Sequence, residues 1–195
     1  DFPSDMSALL GKQAFTDAYN AGKWIDWVDE VSGNTATTQK YSLSVSSGTE
    51  KTRIFASTSY NREEGLLSNE NLNRYSLRLN IDQQLFSWAK VGFTSNLVYR
   101  DLNSGVKNTF TRSLSAFPLG DAYDEEGKMN HEYITGQYSP MGDFIENQYA
   151  NNTRSTYLNM SGYVELTPLK DFTFTSRING TLNHSRRGQY WGNQC

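Results

Sequence analysis

In the stretch Asn73-Arg-Tyr-Ser-Leu-Arg-Leu-Asn-Ile-Asp82, apolar and polar side chains alternate without a break. Tyr75, Leu77, Leu79 and Ile81 fall on one parity, and Arg74, Ser76, Arg78, Asn80 and Asp82 on the other. A period of two places each set on its own face of an extended strand. Past a turn near Leu85-Phe-Ser-Trp88 the apolar set continues as Val91, Phe93, Leu97 and Tyr99, with Lys90, Thr94, Asn96 and Arg100 between. The pattern predicts two strands of about ten residues or more, longer than the ~5–6 usual in soluble sheets and close to the ~9–11 of a tilted strand crossing a bilayer. Tyr75 and Tyr99 at one end, and Phe86 and Trp88 at the other, resemble the aromatic girdles at the two margins of a membrane barrel. Core aromatics of a two-sheet sandwich are the competing reading of the same rings.

Composition fits a sheet that is apolar on one face only. Hydrophobic residues make up 36% of the 195, mean hydropathy is −0.67, and yet aromatics reach 13%. A barrel with a polar interior gives such averages, so low hydropathy does not argue against a membrane. The net charge of −3 and pI near 5.4 leave no basic footprint, which disfavours nucleic acid as a partner. There is no run of eighteen apolar residues for a membrane-spanning helix, and no leader of signal-peptide type. The single cysteine, Cys195, cannot form an intramolecular disulfide.

In chain order, residues 1–36 are not strand-like. Leu9, Leu10, Ala14, Phe15, Ala18 and Tyr19 recur at helical spacing, with Gly22 as a stop, ahead of the aromatic and acidic cluster Trp24 to Val31. Alternation then predicts strands near 38–46, 52–61, 73–84, 89–101, 154–166 and 171–184, joined as an antiparallel meander. Connections alternate between short (47–50, 85–88, 167–171) and long (61–72, 101–153). That asymmetry is the mark of barrels with short periplasmic turns and longer extracellular loops. Within the longest connection, 109–117 reads as a short helix and Asp121 to Lys128 as a solvated hairpin tip, because the spacing of an EF-hand is missing.

Catalytic chemistry is poorly supplied. His131 and His184 lie far apart in sequence, Asp124, Glu125 and Glu126 are adjacent on a tip, and there is no zinc motif, Walker loop or nucleophile elbow. The expectation is a protein that is not an enzyme, with no catalytic residues, metal site or cofactor.

Several segments carry a family resemblance. Trp24-Ile-Asp-Trp-Val-Asp-Glu-Val, Tyr41-Ser-Leu-Ser-Val-Ser-Ser-Gly-Thr-Glu-Lys-Thr, Phe55-Ala-Ser-Thr-Ser-Tyr, Glu64-Gly-Leu-Leu, Asn73-Arg-Tyr-Ser-Leu-Arg-Leu-Asn and Trp88-Ala-Lys-Val-Gly occur in that order. Ala116-Phe-Pro, Tyr123-Asp-Glu-Glu-Gly, Ser139-Pro and Glu165-Leu-Thr-Pro-Leu-Lys-Asp-Phe-Thr-Phe follow. The ordered set resembles the early barrel of SusC/RagA-type TonB-dependent outer-membrane transporters. The resemblance implies an all-β chain, an up-and-down meander forming part of a plugged barrel of about 22 strands in the outer membrane of a Gram-negative bacterium. Such a transporter takes up oligosaccharides or peptides beneath a SusD-like surface lipoprotein, powered through TonB. No plug or TonB-box motif is found, so no residue is assigned to either.

On this reading 1–36 is an extracellular loop, 38–101 holds four strands, 102–153 is a long extracellular loop, 154–185 holds two strands and 186–195 begins the next loop. Contact with substrate or lipoprotein then falls to loop aromatics: Trp24, Trp27, Tyr123, Tyr133, Tyr138, Tyr149, Tyr190 and Trp191, which stack on sugar rings or pack the loops together. The polar set Lys40, Arg78, Asn96, Arg100 and Arg177 is assigned to a lumen. A secreted carbohydrate-binding sandwich is the alternative, with the apolar rows buried against a second sheet about 10 Å away. Six strands with open edges and one uncovered apolar face are not expected to fold stably alone in water.

Overall fold

The computed structural model describes residues 11–106 and 108–193; Leu9, Leu10 and Cys195 lie outside the described residues. Six strands build one antiparallel sheet in the order β1-β2-β3-β4-β7-β8. These are β1 (Thr37–Gly48), β2 (Thr52–Glu64), β3 (Asn71–Phe86), β4 (Ala89–Asn103), β7 (Tyr149–Leu169) and β8 (Phe172–Trp191). A two-stranded ribbon, β5 (Glu132–Ile134) with β6 (Gln137–Tyr138), lies in the long connection. Three short α-helices, α1 (Gln13–Asn20), α2 (Trp27–Ser32) and α3 (Thr109–Ser115), and a 3-10 turn at Gly142–Phe144 complete the described fold.

The register carries the sequence alternation across the whole sheet. Tyr41, Tyr60, Tyr75 and Tyr99 stand directly opposite one another on successive strands. Their ring centroids are 6.5, 5.0 and 6.2 Å apart. The next rows on this face are Leu43–Thr58–Leu77–Leu97–Leu158–Leu182, Val45–Ala56–Leu79–Ser95–Met160 and Ile54–Ile81–Phe93, ending on Ile178 of β8. At the far margin Phe86 and Trp88 stack at 5.3 Å, with Leu169, Phe172 and Phe174 beside the next turn. From Tyr75 to Phe86, at ~3.4 Å per residue and ~45° of tilt, the band projects to about 26 Å, the height of a barrel's lipid-facing belt. It is uncovered: Leu43 is 72% and Ile178 77% exposed.

Tight turns sit at the belt's lower end. Thr49 to Lys51 joins β1 to β2, Ser87-Trp88 joins β3 to β4, and Lys170-Asp171 joins β7 to β8, with Asp171 at φ 65. Pro168 has no N–H for the ladder, and the β7–β8 register shifts between Leu166 and Leu169 around it. Long connections, 65–70 and 104–148, sit at the upper end.

Two expectations about the strands are corrected. β7 starts at Tyr149 rather than 154, and β8 runs to Trp191 rather than 184, so 186–191 is strand and not loop. Above the tyrosine row both faces turn polar and hydrophobic alternation vanishes, while the backbone pairing Tyr149↔Trp191 to Ser155↔Ser185 continues.

The molecule's apolar core lies outside the sheet, in a cap formed by 11–36 and 104–148. Ile25, Trp27, Val31, Ala122, Tyr133 and Met141 are buried together, with Leu67, Phe117, Met129 and Phe144 packed around them. α1 ends where Gly22, at φ 68, lets the chain reverse, and the Lys23 amide donates to Ala18 O at 2.9 Å. α2 forms where the sequence was read as an aromatic and acidic cluster. Asp26 caps it by accepting from the Val28 and Asp29 amides at 3.1 Å each.

Candidate functional site

The sheet's second face is mainly polar, with Phe55, Leu72, Val98, Leu102 and Tyr157 set among the polar residues. Lys40, Asn61, Arg74, Arg100, Ser155 and Ser185 form one cross-strand row; Ser44, Ser57, Arg78, Asn96, Asn159 and Thr181 form another; Arg53, Asp82, Gly92, Tyr163 and Arg177 a third. Lys40, Arg78, Asn96, Arg100 and Arg177 therefore share one face, spread over three levels rather than collected at one point. The sequence placed Arg74 and Lys90 on the same polar parity without assigning them to the lumen, and it left out Tyr163 and Arg187, the latter in a stretch read as loop.

Near the lower end, Tyr163 lies across Gly92. Its hydroxyl donates to Asp82 Oδ1 at 2.5 Å, and Lys90 Nζ and Arg177 Cζ stand 5.6 and 5.8 Å from its ring centroid. Any side chain at position 92 would collide with that ring, since a Cβ there would lie 2.0 Å from it.

Higher on the same face, where β7 and β8 rise past the tyrosine row, a cleft of about 550 Å³ opens. Tyr149 and Trp191 form its aromatic wall, edge to face at 4.8 Å. Arg187 Nε donates to Asn151 Oδ1 at 2.9 Å, and the lining also includes Glu70, Ser104, Val106, Asn108, Thr153 and Gln189. The arrangement offers an aromatic face, a cation, a carboxylate and several amide and hydroxyl groups to a ligand entering from the long-connection end.

A second cleft, about 480 Å³, lies in the cap between α3 and the β5–β6 ribbon. His131 and Tyr138 pack at 4.9 Å there, beside Arg112, Ser115, Gln137 and Asn193. Behind it the cap is fixed by polar groups. Trp27 Nε1 donates to Phe117 O at 2.9 Å, and the Phe117 amide donates to the Tyr133 hydroxyl at 3.0 Å. Arg112 pairs with the buried Asp143, which also accepts from Thr109 Oγ1 at 2.9 Å.

The eight aromatics assigned to ligand contact thus divide. Trp27 and Tyr133 are 2% and 4% exposed and meet each other at 4.7 Å, so both are held in the cap core, and burial pushes the Tyr133 hydroxyl pKa up. Tyr123 donates to Glu30 Oε2 at 2.7 Å; burial and that bond push its pKa up to about 12. Tyr149 and Trp191 come together in the mouth cleft, and Tyr138 stands in the cap cleft. Trp24 is exposed, edge-on to Tyr19 at 5.7 Å. Tyr190, one position before Trp191, projects from the opposite face of the strand.

No family model matches the chain. A curated relative, TonB-dependent receptor P26 of Formosa agariphila, is 25% identical over 173 residues, which cover 87% of this chain and 17% of the relative. The fold is similar to that of a solved RagAB peptide transporter, with a TM-score of 0.68 and 22% identity, covering 92% of this chain and 22% of that one. It is equally similar to the RagAB peptide importer in its closed-closed state, at TM-score 0.67, 22% identity and coverage of 85% and 20%. The chain spans about a fifth of the length of the proteins it matches. The sequence resemblance and the likeness of fold support the same reading, a SusC/RagA-like stretch of all-β antiparallel meander.

Proposed function

We propose that this chain is part of the barrel wall of a TonB-dependent importer in the outer membrane of a Gram-negative bacterium. On this reading it works with a SusD-like lipoprotein to take up oligosaccharides or peptides, and TonB acts through parts of the protein beyond this stretch. The observation that carries the reading is the uncovered apolar belt, continuous over six strands and bounded by aromatics at both margins, behind a face that is mainly polar. Lipid satisfies such a belt, and water does not. A sandwich would bury the same rows against a second sheet, and their exposure weighs against it.

The short turns then face the periplasm, and the cap and mouth cleft face outside. Tyr149 and Trp191 contribute a stacking surface at the mouth, Tyr138 another on the cap, and the exposed Trp24 a contact for the lipoprotein. Trp27 and Tyr133 act at one remove, by holding the cap in shape.

Fractionation of the full-length protein tests the location: it leaves the outer membrane only with detergent, and recovery in a detergent-free soluble fraction would refute the barrel. Uptake at matched surface expression tests the contacts. Trp191→Ala is expected to lower uptake severalfold, and unchanged uptake in Trp191→Ala, Tyr138→Ala and Trp24→Ala alike removes the aromatic-contact assignment.

A further inference from the structure

The cations of the sheet differ in their partners. On the apolar face, above the tyrosine row, Arg62 is held by Glu64 at 2.6 Å and Arg154 by Asp101 at 3.2 Å, while Arg186, opposite Arg154, is exposed with no carboxylate partner among the described residues. In the cap, Lys23 is held by Asp121 at 2.6 Å, and Arg112 by Asp143. On the polar face, Lys40, Arg74, Arg78 and Arg100 are exposed and have no carboxylate partner among the described residues. Arg74 and Arg100 stand directly opposite each other on β3 and β4. Like charges in that position are destabilising unless an anion lies between them.

The carboxylates nearest this face lie outside the cradle itself, and one of them, Glu70, lines the mouth cleft above it. Glu63 accepts from Asn61 Nδ2 at 2.5 Å, Asp82 holds the Tyr163 hydroxyl, and Glu165 pairs in register with Lys90 beside the lower turn. Around the cations runs a shallow cradle of about 430 Å³, lined by Lys40, Arg74, Arg78, Asn96 and the hydroxyls of Ser42, Ser44, Ser57, Ser59 and Ser76, with no acidic residue in it. Its upper cations, Lys40, Arg74 and Arg100, lie in the row beside the tyrosines, one residue on; the next row up, Glu63–Leu72–Leu102–Thr153, ends on Arg187 of the mouth cleft, so the track from the cradle to the aromatic wall of Tyr149 and Trp191 crosses one row that is not basic.

We propose that this track is a binding surface for an acidic oligosaccharide, one whose sugar units carry carboxylate or sulfate groups. Unpaired guanidinium groups take the oxyanions, serine hydroxyls and the Asn96 amide take ring hydroxyls, and Trp191 and Tyr149 take the apolar sugar face. The hydroxyl-rich lining and the aromatic wall favour a sugar over an acidic peptide. The proposal rests on the importer reading and fails independently of it: a protein that is embedded in the outer membrane and has no acidic preference keeps the barrel and loses this inference.

The test uses the full-length transporter in detergent, titrated with oligogalacturonate, with an uncharged oligosaccharide of the same length, and with a polyglutamate peptide. Oligogalacturonate is expected to bind more tightly than either, and its affinity to fall steeply with added salt. Arg74→Gln and Arg100→Gln, singly and together, are each expected to weaken it by up to about fivefold per cation removed, leaving the uncharged oligomer unchanged. Arg62→Gln on the opposite face serves as the control. Equal binding of charged and uncharged oligomers overturns the proposal, as does tighter binding of the peptide. A variant that lowers the thermal stability of the ligand-free protein without changing this discrimination also overturns it, because the cations would then be neutralised from within the protein.

Discussion

Leu43 and Val31 are both aliphatic, yet the first is 72% exposed and the second 0%. Leu43 belongs to a sheet whose apolar residues meet none of their own kind across a layer, only neighbours within the same face. Val31 belongs to a cap that closes an apolar cluster on itself, with Trp27, Tyr133 and Met141 around it. The cap thus carries its own hydrophobic interior, while the sheet leaves that role to its surroundings. A single chain therefore contains one region built for water and one built for hydrocarbon, meeting at a row of four tyrosines.

Mutations separate the two. The largest effect is expected from Trp27→Ala, which empties a buried aromatic site and removes the bond to Phe117 O; losses of this kind are ~3–5 kcal/mol. They should stay in the cap, read as rapid proteolysis of 104–148 in an otherwise assembled membrane protein. If the barrel fails to assemble as well, the two regions are not independent. Next is Leu77→Arg at mid-belt, about 2–4 kcal/mol against insertion, measured as lost assembly in bilayers with the cap's protease resistance unchanged wherever barrel forms. Arg78→Leu, one residue away on the other face, should assemble normally.

Asp143→Ala comes third. Asp143 is 3% exposed and holds Arg112 and Thr109, so its loss leaves a guanidinium and a hydroxyl short of a partner, about 1–3 kcal/mol. Hydrogen exchange should quicken around α3 and Gly142–Phe144 and stay unaltered in β1 to β4. The smallest effect belongs to Tyr123. Its pKa is raised, so the neutral phenol is favoured in the folded cap; the contribution is whole below its ordinary value of 10.0 and is lost as pH climbs through about 12. Tyr123→Phe should flatten that part of the cap's alkaline unfolding profile, and an unchanged profile would remove Tyr123 as its origin.

The regions also differ in what the amino-acid order reveals. In β1 to β4 the alternation is a direct image of the environment, oil on one parity and water on the other, and strands and turns were legible within a few residues. Where β7 and β8 rise clear of the belt, both parities face water. Tyr149-Ala-Asn-Asn-Thr and Arg186-Arg-Gly-Gln then carry no period, although the backbone ladder is unbroken. α2 left a readable sign that was passed over: Asp26 ahead of Trp27-Val28, with Asp29 three residues on. The cap's polar fastening had none. Thr109 and Arg112 lie 34 and 31 residues from Asp143 along the chain, and only the folded loop brings them to it. For the same reason the sequence left Trp27 and Tyr133 open between ligand contact and loop packing: a lone aromatic in a long connection gives no sign of the apolar neighbours that will enclose it.

The extended ribbon of β7 and β8 has a mechanical consequence. Beyond the level of Thr156 and His184, which continues the tyrosine row, it runs roughly 24 Å along the strand to Tyr149 and Trp191 at ~3.4 Å per residue, about 17 Å of height at the same ~45° tilt, in continuous register. A paired ribbon is stiff along its length, so the platform it supports stands at a fixed height above the lipid. It acts as a mast rather than a hinge. Any swing of the cap relative to the membrane must be taken up at attachments outside the ladder, Gly33 to Ala36 on one side and Gly105-Val106 on the other, and whatever docks on the platform meets it at one set elevation.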